Sequence, residues 1–351
     1  PRRLNCAPES PVESLASPMG ISSDQYRAAA ESAAWVDRSA RGRVIVSGPD
    51  AAKFLHNLTT NDVKRLRIGQ GCEAFVTSPQ GKTLGYVSLH ALPQSILLRA
   101  DPGGLTLALP HLQKYGIFDD VALEDAGSTS SEFHLVGPGV GDWLAAAGIE
   151  APPEGDLATI VVERDGASLV CIREAPTGRP GVTLIALGDA DGRLKALVQG
   201  SGLIPMDDET FEVLRIEAGT PVYNREVTEK NLPQEIARDG RTISFVKGCY
   251  LGQETVARLD ALGHVNKILR AFRFRPGDPV PPAGTSLEAD GKVVGSVASS
   301  AFSPGWGAGV GLGIVRVSHA EAGRTLAWKR AEDGAEFPAT VSEPPQIPSH
   351  V

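Results

Sequence analysis

The apolar run Val44-Ile45-Val46, ending at the turn Gly48-Pro49, predicts a strand over 43–47. Ala51, Phe54, Leu55 and Leu58 then recur at helical spacing, and Asp50 stands where an N-cap is expected. Thr59-Thr60-Asn61-Asp62-Val63 closes that helix. A helix is also predicted before it, over 24–35. Strands follow over 71–77 and 84–89, joined by the turn Pro79-Gln80-Gly81-Lys82, and a third runs over 95–100. The segment 105–115 reads as partly helical.

The same pattern then recurs. A strand over 132–136, a Gly137-Pro138 turn and a helix over 140–147 repeat the arrangement around Gly48-Pro49. Two strand–Gly-Pro–helix units predict two similar α+β lobes. Further strands are expected over 157–163, 167–173 and 181–186. A helix is expected over 211–218, where Phe211, Leu214, Arg215 and Ala218 keep helical spacing. After Asn266 the pattern changes to short strands, over 268–274, 292–296, 310–317, 325–328 and 337–341, broken by a proline-rich turn at 276–282. This predicts a small antiparallel β-barrel. The expected organisation is a loosely ordered arm over 1–20, two lobes over 21–265 and a barrel over 266–351.

Composition narrows the function classes. The chain has 351 residues, 42% hydrophobic and 22% charged, which is ordinary for a soluble globular protein. A formal charge of -8 disfavours non-specific nucleic acid binding. No apolar run is long enough to span a membrane. Cys6, Cys72, Cys171 and Cys249 lie far apart without metal-ligand spacing, so free thiols in a reducing compartment are expected and no metal site is assigned. Residues 1–20 lack the apolar centre of a signal peptide, and cytoplasm is the default expectation. Nothing in the sequence demands more than a monomer.

The densest chemistry lies in Lys247-Gly248-Cys249-Tyr250-Leu251-Gly252-Gln253-Glu254-Thr255-Val256-Ala257-Arg258. A thiol just ahead of a helix start, with Lys247 and Arg258 nearby, suits contact with a polar ligand. The alternative is a buried, inert cysteine. His264 is the nearest histidine that could pair with it, and nucleophilic catalysis ranks below ligand contact. Glu217 falls near the C-terminal end of a helix, where the helix dipole does not favour a carboxylate, so it needs a partner. A ring amidine or an arginine would serve. Asn61 and Asp62 read as a cap or turn. Gly81-Lys82 reads as a hairpin turn or an anion contact. Gly137-Pro138-Gly139-Val140-Gly141-Asp142 departs from a dinucleotide-binding loop. The glycines at 305–313 suit close packing in a barrel strand.

The 247–258 run closely resembles the signature of the YgfZ-type folate-binding family. That family includes mitochondrial iron–sulfur assembly factors and is related to the glycine cleavage system T-protein, an aminomethyltransferase. Gly48-Pro49-Asp50-Ala51, Leu58-Thr59-Thr60-Asn61-Asp62-Val63, Gln80-Gly81-Lys82-Thr83, Arg215-Ile216-Glu217-Ala218-Gly219, Pro221-Val222-Tyr223 and Leu232-Pro233-Gln234-Glu235 follow in family order. The resemblance implies an α+β fold, with two ferredoxin-like lobes around a central cavity plus the C-terminal antiparallel β-barrel. It implies tetrahydrofolate or a one-carbon derivative as cofactor, and iron–sulfur client or assembly proteins as partners. It also implies ligand contacts from Glu217, at the pterin amidine edge, and from Tyr223, Lys247, Tyr250, Gln253, Glu254, Arg258 and Asn61. Gln253 and Glu254 could instead organise the loop and helix. Cys249 would be the family thiol near the ligand opening. One departure stands out. Aminomethyltransferases carry an acid shortly after the glycine turn, where this chain has Tyr86. A tyrosine cannot supply that negative charge at ordinary pH, which argues against glycine cleavage. Asn224 also replaces a glycine common in the family. The expected function is therefore a folate-binding accessory protein for iron–sulfur cluster assembly or repair. The alternatives are a folate-dependent aminomethyl- or methyltransferase acting on a small amine, and a structural adaptor with a vestigial pocket.

Overall fold

In the computed structural model, which describes residues 22–164, 166–188, 192–263 and 265–348, two glycines fix the passage from strand to helix in each lobe. Gly42–Ser47 is a strand and Ala51–Leu58 a helix; Ser130–Val136 and Val140–Ala146 repeat the pair. Gly48 has φ +106° and Gly137 φ +117°. A Cβ on Gly48 would stand 2.3 Å from the Asp120 carbonyl oxygen, and one on Gly137 2.6 Å from that of Ser32. Both turns need glycine for the backbone angle and for the close approach. The arm over 1–20, Cys6 and His264 lie outside the described residues.

Each lobe is an α+β unit with one repeated path: strand, helix, three-strand meander, helix, strand. The first lobe's sheet runs in the order Gly71–Thr77, Thr83–Ala91, Ser95–Ala100, Gly42–Ser47, Ala122–Asp125. The second runs Thr159–Arg164, Ala167–Arg173, Gly181–Leu187, Ser130–Val136, Ala34–Asp37, Ile204–Pro205. The second sheet thus contains an inserted strand. Ala34–Asp37 lies antiparallel to Ser130–Val136 and parallel to Ile204–Pro205. This corrects the expected helix over 24–35. The helix is Ser23–Glu31. Ala34 and Val36 are buried on one face of the sheet, while Trp35 packs on the other face against Phe133. The expected cap at Asp50 also fails, because its side chain accepts instead from the Asp120 amide (3.2 Å) and from Lys53 (3.4 Å).

Helices cover the outer face of each sheet. The inner faces meet, and Ile45 and Leu97 of the first lobe join Val170, Ile172 and Ile185 of the second in one apolar cluster. The third unit is a closed six-stranded barrel between Lys267–Phe274 and Glu336–Ser342. Its strand Ala308–Arg316 uses glycine for close packing, as expected. A Cβ on Gly309 would reach the Phe274 ring at 2.9 Å, and one on Gly313 the Ser296 carbonyl at 2.1 Å. Helix Asp208–Ala218 joins the lobes to the barrel. Asp207 caps its start by accepting from the Thr210 amide, and Gly219, at φ +70°, ends it. Asn224 has φ +69°, the left-handed region. A glycine is natural there, and asparagine is among the side chains that tolerate it best.

Candidate functional site

Strand periodicity places polar side chains on the inner faces of the two sheets. Glu73 shares a face with Phe75, and Tyr86 shares one with Ser88 and His90. Arg99, Glu132, His134 and Thr183 are likewise buried where the lobes meet. Arg99 crosses that junction. Its guanidinium donates to Glu132 at 2.7 Å and to Glu174 at 2.9 and 3.1 Å. Arg43 donates to the Ser130 hydroxyl at 2.7 Å and to the Gly127 carbonyl at 2.9 Å. Burial pushes the Glu132 and Glu174 carboxyls up, but Arg99 and Arg41 outweigh it, so both sit below the ordinary carboxylate range. The charges are paired where they are taken out of water.

Above this junction a cavity of about 230 Å³ opens between the lobes and helix Asp208–Ala218. That is slightly below the ~300–1,000 Å³ of typical small-molecule sites and has room for a ring system rather than a long ligand. Glu73, Tyr86, Arg238 and Arg241 form one wall; Arg38, His134, Phe211 and Arg215 form another. The Tyr86 hydroxyl donates to Glu73 at 2.6 Å. Arg238 donates to both oxygens of the same carboxylate at 3.0 Å, and Arg241 donates at 2.8 Å. Burial raises the Glu73 carboxyl, but Arg238 and Arg241 carry it below its ordinary value. Burial pushes the Tyr86 phenol well up, so it stays a hydrogen-bond donor. A carboxylate thus stands on the neighbouring strand, hydrogen-bonded to the tyrosine at 86.

Asn61 sits behind this wall rather than in it. Its Nδ2 donates to the carbonyls of Glu73 and Arg241, each at 2.8 Å, and so ties together the segments that carry both residues. Lys247 is a clamp. Its ammonium donates to the carbonyls of His56, Thr59 (2.7 Å) and Asn61 (2.8 Å), satisfying the C-terminal end of helix Ala51–Leu58 from a distant segment. Burial lowers its pKa to about 7. Tyr250 packs beneath it, with the ammonium 4.7 Å from the ring centroid. Gln253 opens helix Gln253–Leu262 and accepts from the Tyr250 amide at 3.3 Å. Gly252 packs against the 78–82 turn; a Cβ there would stand 2.5 Å from the Ser78 carbonyl oxygen. The 247–258 run thus fastens a loop and helix onto the first lobe.

None of the predicted ligand residues lines the cavity. Cys249 is exposed, which removes the reading of a buried inert thiol, and Glu254 and Arg258 are also exposed. Tyr223 is buried and donates to the Thr83 carbonyl at 3.3 Å. Glu217 is fully buried elsewhere. It accepts from the Tyr26 and Ser303 hydroxyls, each at 2.7 Å, and lies 3.5 Å from Arg179. Its carboxylate thus lies away from this cavity, where the resemblance had placed it at a pterin edge. Helical geometry is the reason: Phe211, Arg215 and Ala218 face the cavity, and residue 217 points away from them. Glu73, His134, Arg238 and Arg241 were missed. For Glu73 and His134 the available signal was polar residues at alternate strand positions; Arg238 and Arg241 belong to the short helical segment Asp239–Thr242 and its N-cap, where that signal does not apply.

The arrangement has known relatives. Residues 16–245 match the GCVT N-terminal domain, and residues 267–347 match the glycine cleavage T-protein C-terminal barrel domain. A chloroplast protein of Arabidopsis thaliana described as a transferase is 31% identical, over 89% of this chain and 71% of its own length. The human mitochondrial iron–sulfur cluster assembly factor IBA57 is 30% identical, over 90% of this chain and 86% of its own. The aminomethyltransferase of Chlorobium luteolum is 28% identical, over 80% and 78%. The crystal structure of the glycine cleavage system aminomethyltransferase T from Bartonella henselae superposes with a TM-score of 0.83 at 20% identity, covering 93% of this chain and 90% of that one. It shares the fold. Among the described residues no helix is long and apolar enough to cross a membrane. By sequence and by fold, this chain belongs to the glycine cleavage T-protein family, which its aminomethyltransferase relatives and the iron–sulfur assembly factor share.

Proposed function

We propose that this protein binds tetrahydrofolate, or a one-carbon derivative of it, in the cavity between the lobes and supports assembly or repair of iron–sulfur cluster proteins. The observation that carries the reading is the Glu73–Tyr86–Arg238–Arg241 wall. The carboxylate is committed to two guanidiniums and a phenol, so it is a fixed charge rather than a free base. Such a wall suits holding a polar ring more than abstracting protons from it. The opposite wall fits the same ligand, with the Phe211 ring as an apolar surface and a buried histidine nitrogen that has no partner among the described residues. The likeness to a mitochondrial iron–sulfur cluster assembly factor supports the cellular half of the reading.

Calorimetry with tetrahydrofolate on folded protein under reducing conditions tests the ligand, and no heat of binding removes it. Loss of activity of cluster-dependent enzymes in a deletion strain tests the role; normal activity there removes it. A second reading, folate-dependent transfer to or from a small amine, draws on the aminomethyltransferase relatives and on Glu73 as an ionised group on the cavity wall. Turnover of an aminomethyl or methylated amine by purified protein would establish it, and failure across an amine panel would set it aside.

A further inference from the structure

His134 lines the cavity, is almost fully buried, and has no hydrogen-bond partner for its Nε2 among the described residues. Its other nitrogen is accounted for. Nδ1 lies 2.9 Å from the Thr183 hydroxyl, and that hydroxyl lies 2.5 Å from a Glu174 oxygen. Arg99 holds Glu174 ionised, so the carboxylate can only accept. The single hydroxyl proton of Thr183 therefore goes to Glu174, and Thr183 must accept from the imidazole. The tautomer follows: Nδ1 carries the proton, and Nε2 presents a bare lone pair. Burial lowers the imidazole pKa to about 4, which keeps the ring neutral.

The relay is written into the strand register. His134 and Thr183 stand directly opposite each other where Ser130–Val136 pairs with Gly181–Leu187. Gly181 leaves room for the ring, since a Cβ there would stand 3.0 Å from Nε2. Phe211 meets the imidazole edge-on, with centroids 6.3 Å apart. An unsatisfied buried acceptor beside a cavity is costly unless water or a ligand donates to it.

We infer that His134 Nε2 accepts a hydrogen bond from a ring N–H of the bound ligand, with Thr183 and Glu174 keeping it an acceptor. His134 is then a binding residue, and Thr183 and Glu174 are positioning residues. The ligand class is a heterocycle that offers a donor at that edge; an analogue offering an acceptor sets lone pair against lone pair and is rejected. The inference rests on the folate reading above.

The test uses the full chain with ¹⁵N-labelled histidine and tetrahydrofolate as the probe. In the free protein Nδ1 should be protonated and Nε2 bare, and the Nε2 resonance should move on titration. His134→Leu should weaken binding roughly tenfold or more. His134→Gln, whose carbonyl oxygen can stand near the Nε2 position, should stay within about threefold. Thr183→Val should mix the tautomers and weaken binding by about three- to tenfold. Binding by wild type with an unmoved Nε2, or His134→Leu binding as tightly as wild type, overturns this inference alone. Absence of binding by wild type overturns the folate reading and this inference with it. If His134→Leu does not fold, the wild-type resonance decides.

Discussion

Glu73 and Glu217 each accept a tyrosine hydroxyl and each face arginine, yet their surroundings drive them in opposite directions. Glu73 has two guanidiniums within hydrogen-bond reach, and its carboxyl lies below the ordinary value despite burial. Glu217 has two hydroxyls and one guanidinium at 3.5 Å. Burial wins there, and its carboxyl is raised. Water and a ligand can reach the wall that holds Glu73. Glu217 is sealed among helix Ser23–Glu31, Arg179 of the second lobe and barrel strand Lys292–Ser303, while its backbone carbonyl accepts from the Gln346 amide at 2.7 Å. The difference teaches that the number and charge of the donors, more than depth, decide whether a carboxylate serves a site or a joint.

The strongest way to break the comparison is Glu217→Ala. It strands Tyr26, Ser303 and Arg179 in a dry joint, and denaturant unfolding should show a loss of about 3–5 kcal/mol. Tetrahydrofolate affinity of the molecules that remain folded should be unchanged. Glu73→Ala should do the reverse. Calorimetry should show at least a roughly tenfold loss of affinity, about 1.4 kcal/mol, with a smaller drop in stability than Glu217→Ala. Equal stability losses would erase the distinction.

Acidity sharpens it further. A raised carboxyl stabilises the fold below its unfolded value of 4.5, and that contribution fades as pH rises through the folded value. A lowered one contributes above 4.5 and is lost as pH falls through the folded value. Wild type should therefore lose stability relative to Glu217→Gln as pH rises above 4.5. It should gain relative to Glu73→Gln as pH rises toward 4.5. Paired urea melts across pH check both slopes, and slopes of the same sign would refute the assignment. The smallest effect is expected from Cys249→Ala. This exposed position belongs to neither node, and tetrahydrofolate affinity should stay within about twofold, well under 1 kcal/mol.

Much of the fold is legible in the sequence. The Gly-Pro junctions at 48 and 137 announced the repeat because no other residue fits those turns. The alternating short strands after Asn266 announced the barrel. Ala34–Asp37 escaped because its alanine-rich lead-in favours helix, while its strand partners lie at 130–136 and 204–205. The site was harder. Polar residues such as Glu132 and His134 alternate along their strand as a solvent face would; only the second lobe's approach to the first makes that face an interior. The 247–258 run stood out, but the sequence does not show that Lys247 turns inward to the carbonyls of His56, Thr59 and Asn61 and fastens the run to the first lobe.

That inserted strand has a consequence for how the chain is made. Residues 34–37 leave the ribosome before both of their sheet neighbours, which are translated more than ninety residues later. That segment must wait while the first lobe closes beside it, then dock into a sheet assembled afterwards. Cutting the gene between the lobes would leave the second fragment with a gap in its sheet and the first with an orphan strand. The two halves look duplicated, but they are laced together and should mature as one.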